Sequence, residues 1–278
     1  MKKLALMLGA LVALTACTKK QAPAPEPEPA TPGSLVLYYS QSGSTEKVAQ
    51  LFAEKTGADI EKFNVATAYD GDFNATIARC QEEMKNGIVP ELAPLTKDVA
   101  KYDTIYLGYP IWFGTYAPPV AALLKGVDLK GKVIVPFCTF GSGGIEASVA
   151  ALKAALPEST VLDGYGVRAA RVDKAADEVA CFLVCAGIVP GEKVVLPDFS
   201  ELKPATKADV AIFNAACGDY QMPLGIPVLV GSRALADATE YVFTVKNKGQ
   251  KDKEASTRIY VTAPNDKNVK PEFTKVVR

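Results

Sequence analysis

The pattern of the chain predicts an α/β fold, a doubly wound, five-stranded parallel sheet over residues 35–190, with a small β-rich module over 191–278. Two observations carry this. Short β-favouring apolar runs alternate with stretches of helical spacing through the first region, as crossover helices between parallel strands require. Beyond Gly191 the period changes, and two alternating segments flank a polar loop as in a hairpin.

The elements follow in order. Leu35–Tyr39 reads as the first strand, and Thr45–Lys55 as a helix with Val48, Leu51 and Phe52 on one face. Asp59–Val65 is the second strand and Asn74–Lys85 the second helix. Thr104–Gly108 is a third, buried strand, followed by a surface loop from Gly108 to Pro119 and a helix over Ala117–Leu124. Lys132–Cys138 and Leu162–Val167 are strands four and five, with Ile145–Ala155 a helix between them and Asp173–Ala186 a helix after them. The C-terminal module has a helix over Ala205–Ala216 and strands at Tyr241–Val245 and Arg258–Thr262, joined through Asn247–Asp252.

Before this stands a leader. Met1, Lys2 and Lys3 are basic, Leu4–Ala13 is apolar but too short to span a bilayer, and Leu14-Thr15-Ala16-Cys17 follows. L-T-A-C resembles the lipobox of bacterial lipoproteins. That resemblance implies a signal peptide over 1–16, lipidation of Cys17 and export to a membrane facing the periplasm or cell exterior. Residues 17–34 form a proline-rich tether, kept extended by A-P-A-P-E-P-E-P.

Charge and composition remove several functions. The chain has 278 residues, with Lys+Arg and Asp+Glu both at 31, so no basic excess points to nucleic acid. There is no histidine, which excludes a Ser-His-Asp triad, a Cys-His pair and an HExxH zinc site, and disfavours metal sites generally. Chemistry must then come from carboxylates, Tyr, Lys, Cys or a cofactor. Past Cys17, five cysteines remain. Cys181 and Cys185 lie four apart on one helix, poor geometry for a bridge, and read as apolar packing. Cys138 at the end of strand four reads as a small buried hydrophobe, with a redox role as the alternative.

In a doubly wound sheet, ligands bind at the carboxyl ends of the strands. Three loops there carry chemistry. Ser40-Gln41-Ser42-Gly43-Ser44-Thr45 opens a helix, and is either an anion cradle of N–H and hydroxyl groups or a hydroxyl-rich helix cap. The loop containing Tyr109-Pro110-Ile111-Trp112-Phe113-Gly114 and Tyr116 holds the only Trp. Its rings either face a planar ligand or fold back onto the core. Thr139-Phe140-Gly141-Ser142-Gly143-Gly144 is glycine-rich, which allows backbone close to a ring or merely a flexible turn.

Together YYSQSGSTEKVA, GYPIWFGTYAPP and CTFGSGG resemble flavodoxins over roughly Leu35–Ala186, and the last two are worded most like the NAD(P)H-dependent and quinone-type reductases of that fold. The resemblance implies strand order 2-1-3-4-5 and FMN. Ser40 to Thr45 would hold the phosphate. Pro110, Ile111, Trp112, Phe113 and Gly114 would line one side of the isoalloxazine. Thr139, Phe140, Gly141, Ser142 and Gly143 would line the other. Ser44 stands where many relatives have Asn or Thr. The expected activity is an FMN-dependent oxidoreductase or electron-transfer lipoprotein, serving a small acceptor or a redox protein. No general acid is identified, Tyr116 being the nearest candidate. Residues 34–189 carry 14 basic and 18 acidic side chains, short of the strong acidity by which a pure carrier steers basic partners. The alternative is a non-catalytic surface module with an empty cofactor site.

Cys17→Ser should release the protein from membranes or leave it unprocessed. Mass spectrometry of the wild type should find no free Cys17 thiol; a free thiol would sink the anchor assignment.

Overall fold

The structure is a computed structural model, describing residues 33–69, 71–247, 251 and 255–277. The signal peptide, Cys17 and the tether up to residue 32 lie outside the described residues, as does most of the polar loop at 247–252. Two compact units divide between Phe182 and Leu183.

The first unit is the α/β domain. Strand β1 (Ser34–Tyr38) leads into α1 (Ser44–Thr56), then β2 (Asp59–Lys62) and α2 (Phe73–Asn86). Next come β3 (Thr104–Trp112), β4 (Thr115–Tyr116) and α3 (Pro118–Gly126). β5 (Val133–Phe140), α4 (Glu146–Ala155), β6 (Thr160–Val161) and β7 (Tyr165–Arg168) follow, and α5 (Ala175–Cys185) runs across the division between the units. The sheet has the order β2-β1-β3-β5-β6, with β7 also beside β5 and all of these pairings parallel. These are the five positions of the 2-1-3-4-5 order; the numbering shifts because β4 is a hairpin strand on the end of β3.

Central strands buried on both faces explain the continuous apolar runs LVLY and VIVPF. Leu35, Leu37, Ile105, Leu107 and Ile134 form one buried layer with Leu123 and Leu152 from the helices. On the other face Phe52 of α1 stacks on Phe137 at 4.4 Å between centroids.

Two elements depart from the expected pattern. Strand three runs on to Trp112, so the expected loop after Gly108 is a β3–β4 hairpin turning at Phe113-Gly114. The fifth strand is split into β6 and β7, for a reason in β5. Lys132 and Ile134 accept from the N–H groups of Thr160 and Leu162. Pro136 is next in that row and has no N–H to give, so the ladder lapses and the chain swings past at Leu162–Gly164. Gly164 fits because a Cβ there would sit 2.5 Å from the Pro136 oxygen.

The second unit is a five-stranded antiparallel sheet of order β12-β11-β10-β9-β8 with helix α6. Its elements are β8 (Lys203–Pro204), α6 (Lys207–Cys217), β9 (Ile226–Ala234), β10 (Ala238–Lys246), β11 (Thr257–Pro264) and β12 (Glu272–Val277). Thr206 and Asp209 form a capping box on α6. Phe213 and Cys217 of α6 pack on Val230, Phe243, Val245, Ile259, Val261 and Phe273, whose period-two spacing puts them on one face. The expected hairpin is β10–β11; β9 and β12 extend it on either side.

A Cβ on Gly108 would lie 2.2 Å from Cζ of Phe137 and 2.9 Å from Cβ of Tyr38. Gly108→Ala should therefore destabilise the domain by about 1–3 kcal/mol through overpacking. Phe137→Leu in the same chain should recover part of that, read as the urea midpoint of single and double variants.

Candidate functional site

The three loops meet at the carboxyl edge of the sheet, as the topology requires. In the first, Gly43 takes a left-handed conformation (φ 86°), a Cβ there would meet nothing within 4 Å, and its N–H donates to Ser40 Oγ at 3.1 Å. No side chain caps α1. The hydroxyls gathered here are thus not a helix cap, and first-turn amides face outward with the positive end of the helix dipole behind them. Ser42 Oγ and Ser44 Oγ flank this point 3.5 Å apart. Thr45 turns inward instead, its hydroxyl bonded to that of Thr139 at 2.8 Å in a buried position.

In the second motif, the β3–β4 hairpin turns on two left-handed residues, Phe113 (φ 50°) and Gly114 (φ 83°), as a tight two-residue connection needs. For Phe113 that conformation is strained, and its ring is 51% exposed. The expected crowd of surface rings divides. Tyr109 is fully buried, with its hydroxyl 3.0 Å from Ser148 Oγ, because the longer β3 carries it into the core. Tyr116 meets the Tyr109 ring edge-on, and burial raises its pKa, which makes it a poor proton donor at neutral pH. Trp112 stands between. It meets Tyr39 edge-on at 6.0 Å and Tyr69 at 5.2 Å, and also lines a cavity.

That cavity, about 500 Å³, is walled on one side by Gln41, Ser42 and Thr45 and on another by Pro110, Ile111, Trp112 and Phe113. The third wall was not foreseen: Gly71 and the first half of α2, through Phe73, Thr76, Ile77 and Cys80. The i, i+3, i+4, i+7 spacing of these four residues marked a common helix face. None of the described lining residues is charged. Burial, with Glu83 adding to it, pushes the Cys80 thiol up to about 11.

The third motif sits differently from expectation. Thr139 and Phe140 belong to β5 and are buried, because the strand continues past Cys138. Neither they nor Gly141, Ser142 and Gly143 line this cavity. Thr139 reaches the site only through its bond to Thr45. Gly141 is held by Arg168, whose Nε donates to its carbonyl at 2.7 Å. Cys138 is fully buried and burial holds its thiol well above the ordinary range, while Cys181 and Cys185 form no disulfide among the described residues.

A parallel 2-1-3-4-5 sheet with an uncapped, hydroxyl-lined helix start beside an aromatic cavity defines a flavodoxin-type protein. The family model described as Flavodoxin matches residues 33–179, and the chain belongs to that family. Among curated proteins it is similar to an NAD(P)H dehydrogenase (quinone) of Cupriavidus metallidurans, 33% identical over 130 residues, covering 41% of this chain and 61% of that one. The chain thus spans about three fifths of that relative. Among solved structures it is similar to a provisionally assigned flavoprotein of Bacteroides uniformis, with 26% identity and a TM-score of 0.48, covering 55% of this chain and 99% of that one. A flavoprotein of Lactobacillus acidophilus in complex with FMN has 27% identity and a TM-score of 0.44, covering 52% and 98%.

FMN is the cofactor that this membership brings. The residues fit it: the Ser42 and Ser44 hydroxyls and the first-turn amides of α1 suit a phosphate, and the uncharged wall at Ile111–Phe113 suits a planar ring.

Thr45→Ala should leave the Thr139 hydroxyl buried without its partner and lower the stability of the FMN-free protein by roughly 1–3 kcal/mol. Replacing both threonines by valine should cost less than the two single changes summed. A strictly additive double variant in urea denaturation would count against the pair.

Proposed function

We propose that the protein is an FMN-dependent oxidoreductase, tethered to a membrane through Cys17, that passes electrons to a small, uncharged acceptor. The observation that carries this is the pairing of an uncapped α1 N-terminus with a partly aromatic cavity whose described lining carries no charge. A helix start with unused N–H groups favours a dianionic phosphate. A cavity without a charged lining group favours a neutral planar partner over a charged one.

Bound FMN supplies the electron chemistry, one or two electrons at a time. The chain's own residues position it. The Ser42 and Ser44 hydroxyls and the amides after Gly43 hold the phosphate; among the described residues no lysine or arginine lines the cavity to do so. Trp112, fixed edge-on by Tyr39 and Tyr69, presents a rigid apolar wall that keeps water off the ring. The hairpin turn places Phe113 at the mouth of the cavity.

The near balance of charge over 34–189 supports a small acceptor over a steered protein partner. The relative described as an NAD(P)H dehydrogenase (quinone) supports a quinone as the acceptor class. At a membrane outside the cytoplasm, a membrane quinol or a partner protein is as suitable a donor as NAD(P)H.

The purified protein should be yellow and bind FMN more tightly than riboflavin. Because Trp112 is the sole tryptophan, its emission should fall sharply as FMN binds. Trp112→Ala should weaken FMN binding by about 1–3 kcal/mol, from lost stacking and apolar burial, while Trp112→Phe keeps most of it. Equal affinity for riboflavin and FMN would refute the phosphate role of Ser40 to Thr45. Anaerobic reduction followed by a quinone panel tests the acceptor; no reoxidation by any quinone would refute that class.

A further inference from the structure

The wall that α2 contributes is attached in an unusual way. Of its fourteen residues only Cys80 and Glu83 are buried, and Glu83 is a carboxylate just 6% exposed. Phe73, at the cavity end, is 75% exposed. The apolar burial that normally docks a helix onto its domain is therefore slight.

A polar cluster takes its place. The Tyr69 hydroxyl donates to Glu83 Oε2 at 2.5 Å, and Arg79 Nε donates to Glu83 Oε1 at 2.8 Å. The Arg79 guanidinium also donates to the carbonyls of Thr67 and Ala68 at 2.9 and 3.0 Å and lies 3.9 Å over the Tyr69 ring. Tyr69 in turn meets the Trp112 ring edge-on. Charge-assisted bonds of this kind are directional, but they repay much of their gain in desolvation, so they define a position without fixing it irreversibly.

The covalent frame suits a part that moves as one piece. The strands of chain entering and leaving α2 are clasped together at their base. Ala66 N–H donates to the Glu91 carbonyl at 2.8 Å, Ala93 N–H donates to the Asn64 carbonyl at 2.9 Å, and Val65 bridges Leu92 antiparallel. Beyond that clasp, left-handed glycines flank the helix, Gly71 (φ 82°) and Gly87 (φ 63°), each with nothing within 4 Å of a Cβ. The helix itself is closed at both ends, by Asp72 accepting from Ala75 N–H and by Gly87 N–H donating to Glu83 and Met84. It therefore stays helical when its side contacts are lost.

We infer that α2 is a hinged flap over the cavity and that Glu83, with Arg79 and Tyr69, is its latch, controlling entry and release of the planar ligand. Tyr69 and Glu83 are positioning residues: they act on the ligand through Trp112 and through the α2 wall. The flap opens while the sheet stays intact, since its attachments are few and local. The inference rests on the reading that this cavity receives FMN, and its test has an arm independent of that reading.

The first arm is native-state hydrogen exchange on the FMN-free full-length protein. Amides of α2 should exchange through an opening that leaves β1 and β3 protected. Glu83→Gln should speed α2 exchange at least about tenfold, the lower range for loss of a charge-assisted bond, with β1 and β3 unchanged. The second arm is the rate of FMN dissociation, which should rise by a similar factor in Glu83→Gln. Tyr69→Phe, which keeps the ring and removes only the hydroxyl, should move both readouts the same way and covers the case that Glu83→Gln does not fold. Exchange of α2 only together with the sheet overturns the flap whatever FMN does. Unchanged FMN release with faster α2 exchange overturns its gating role. If FMN fails to bind while α2 still opens alone, the flap stands and the cofactor reading falls.

Discussion

The buried hydrogen bond between Thr45 and Thr139 ties α1 to β5 at the site end, adding to the Phe52–Phe137 stack that joins the same two elements deeper in the core. One is the first turn of α1, the proposed anion cradle. The other is the end of β5, from which the glycine-rich loop departs. Parallel strands fix the directions of these elements but leave their ends free to slide by a fraction of a residue. A hydroxyl pair closed at 2.8 Å in a dry setting sets that offset. On the proposed function, the cradle at Gly43 and the Trp112 wall would face one ligand in the frame this bond helps to set, while the loop at Gly141 lies outside the described cavity lining.

Much of the α/β unit was legible in the sequence, because buried parallel strands must be apolar throughout and their helices must be amphipathic. Leu35–Tyr38, Thr104–Gly108 and Val133–Cys138 stand out for that reason. The C-terminal ends of β3 and β5 did not. Both strands run on into segments whose composition signals a loop: a proline and aromatics in one, glycines close behind the other. Tyr109 looked like a ligand-facing ring because it sits among such residues, yet one extra turn of the pleat takes it into the core. Pro136 was visible all along, but its effect falls on a partner strand a crossover away, and local pattern does not carry that information.

The site was legible in two of its three sides. Hydroxyls and glycine after β1 and aromatics after β3 announce themselves by type. The contribution of α2 has no such signature. Phe73, Ile77 and Cys80 look like ordinary core-facing positions, and only the placement of the helix shows that they face the cavity. Likewise Arg79 and Glu83 form an i, i+4 ion pair whose carboxylate the fold buries, with Tyr69 supplied as its third member. Tertiary placement, absent from any window of sequence, turns a surface motif into a structural device.

The uncharged lining of the cavity bears on protons as much as on ligand choice. Reducing a quinone to its hydroquinone consumes two protons along with two electrons. The chain has no histidine, and among the described residues the polar side chains of the lining are hydroxyls, an amide and a thiol whose pKa burial raises to about 11. Such groups can pass a proton along, but none can release one near neutrality and be recharged. On the proposed function, a quinone would receive hydride from the reduced flavin, and the remaining proton would come from water at the cavity mouth beside Phe73 and Phe113. The same opening that excludes bulk solvent from the ring has to ration it to the acceptor.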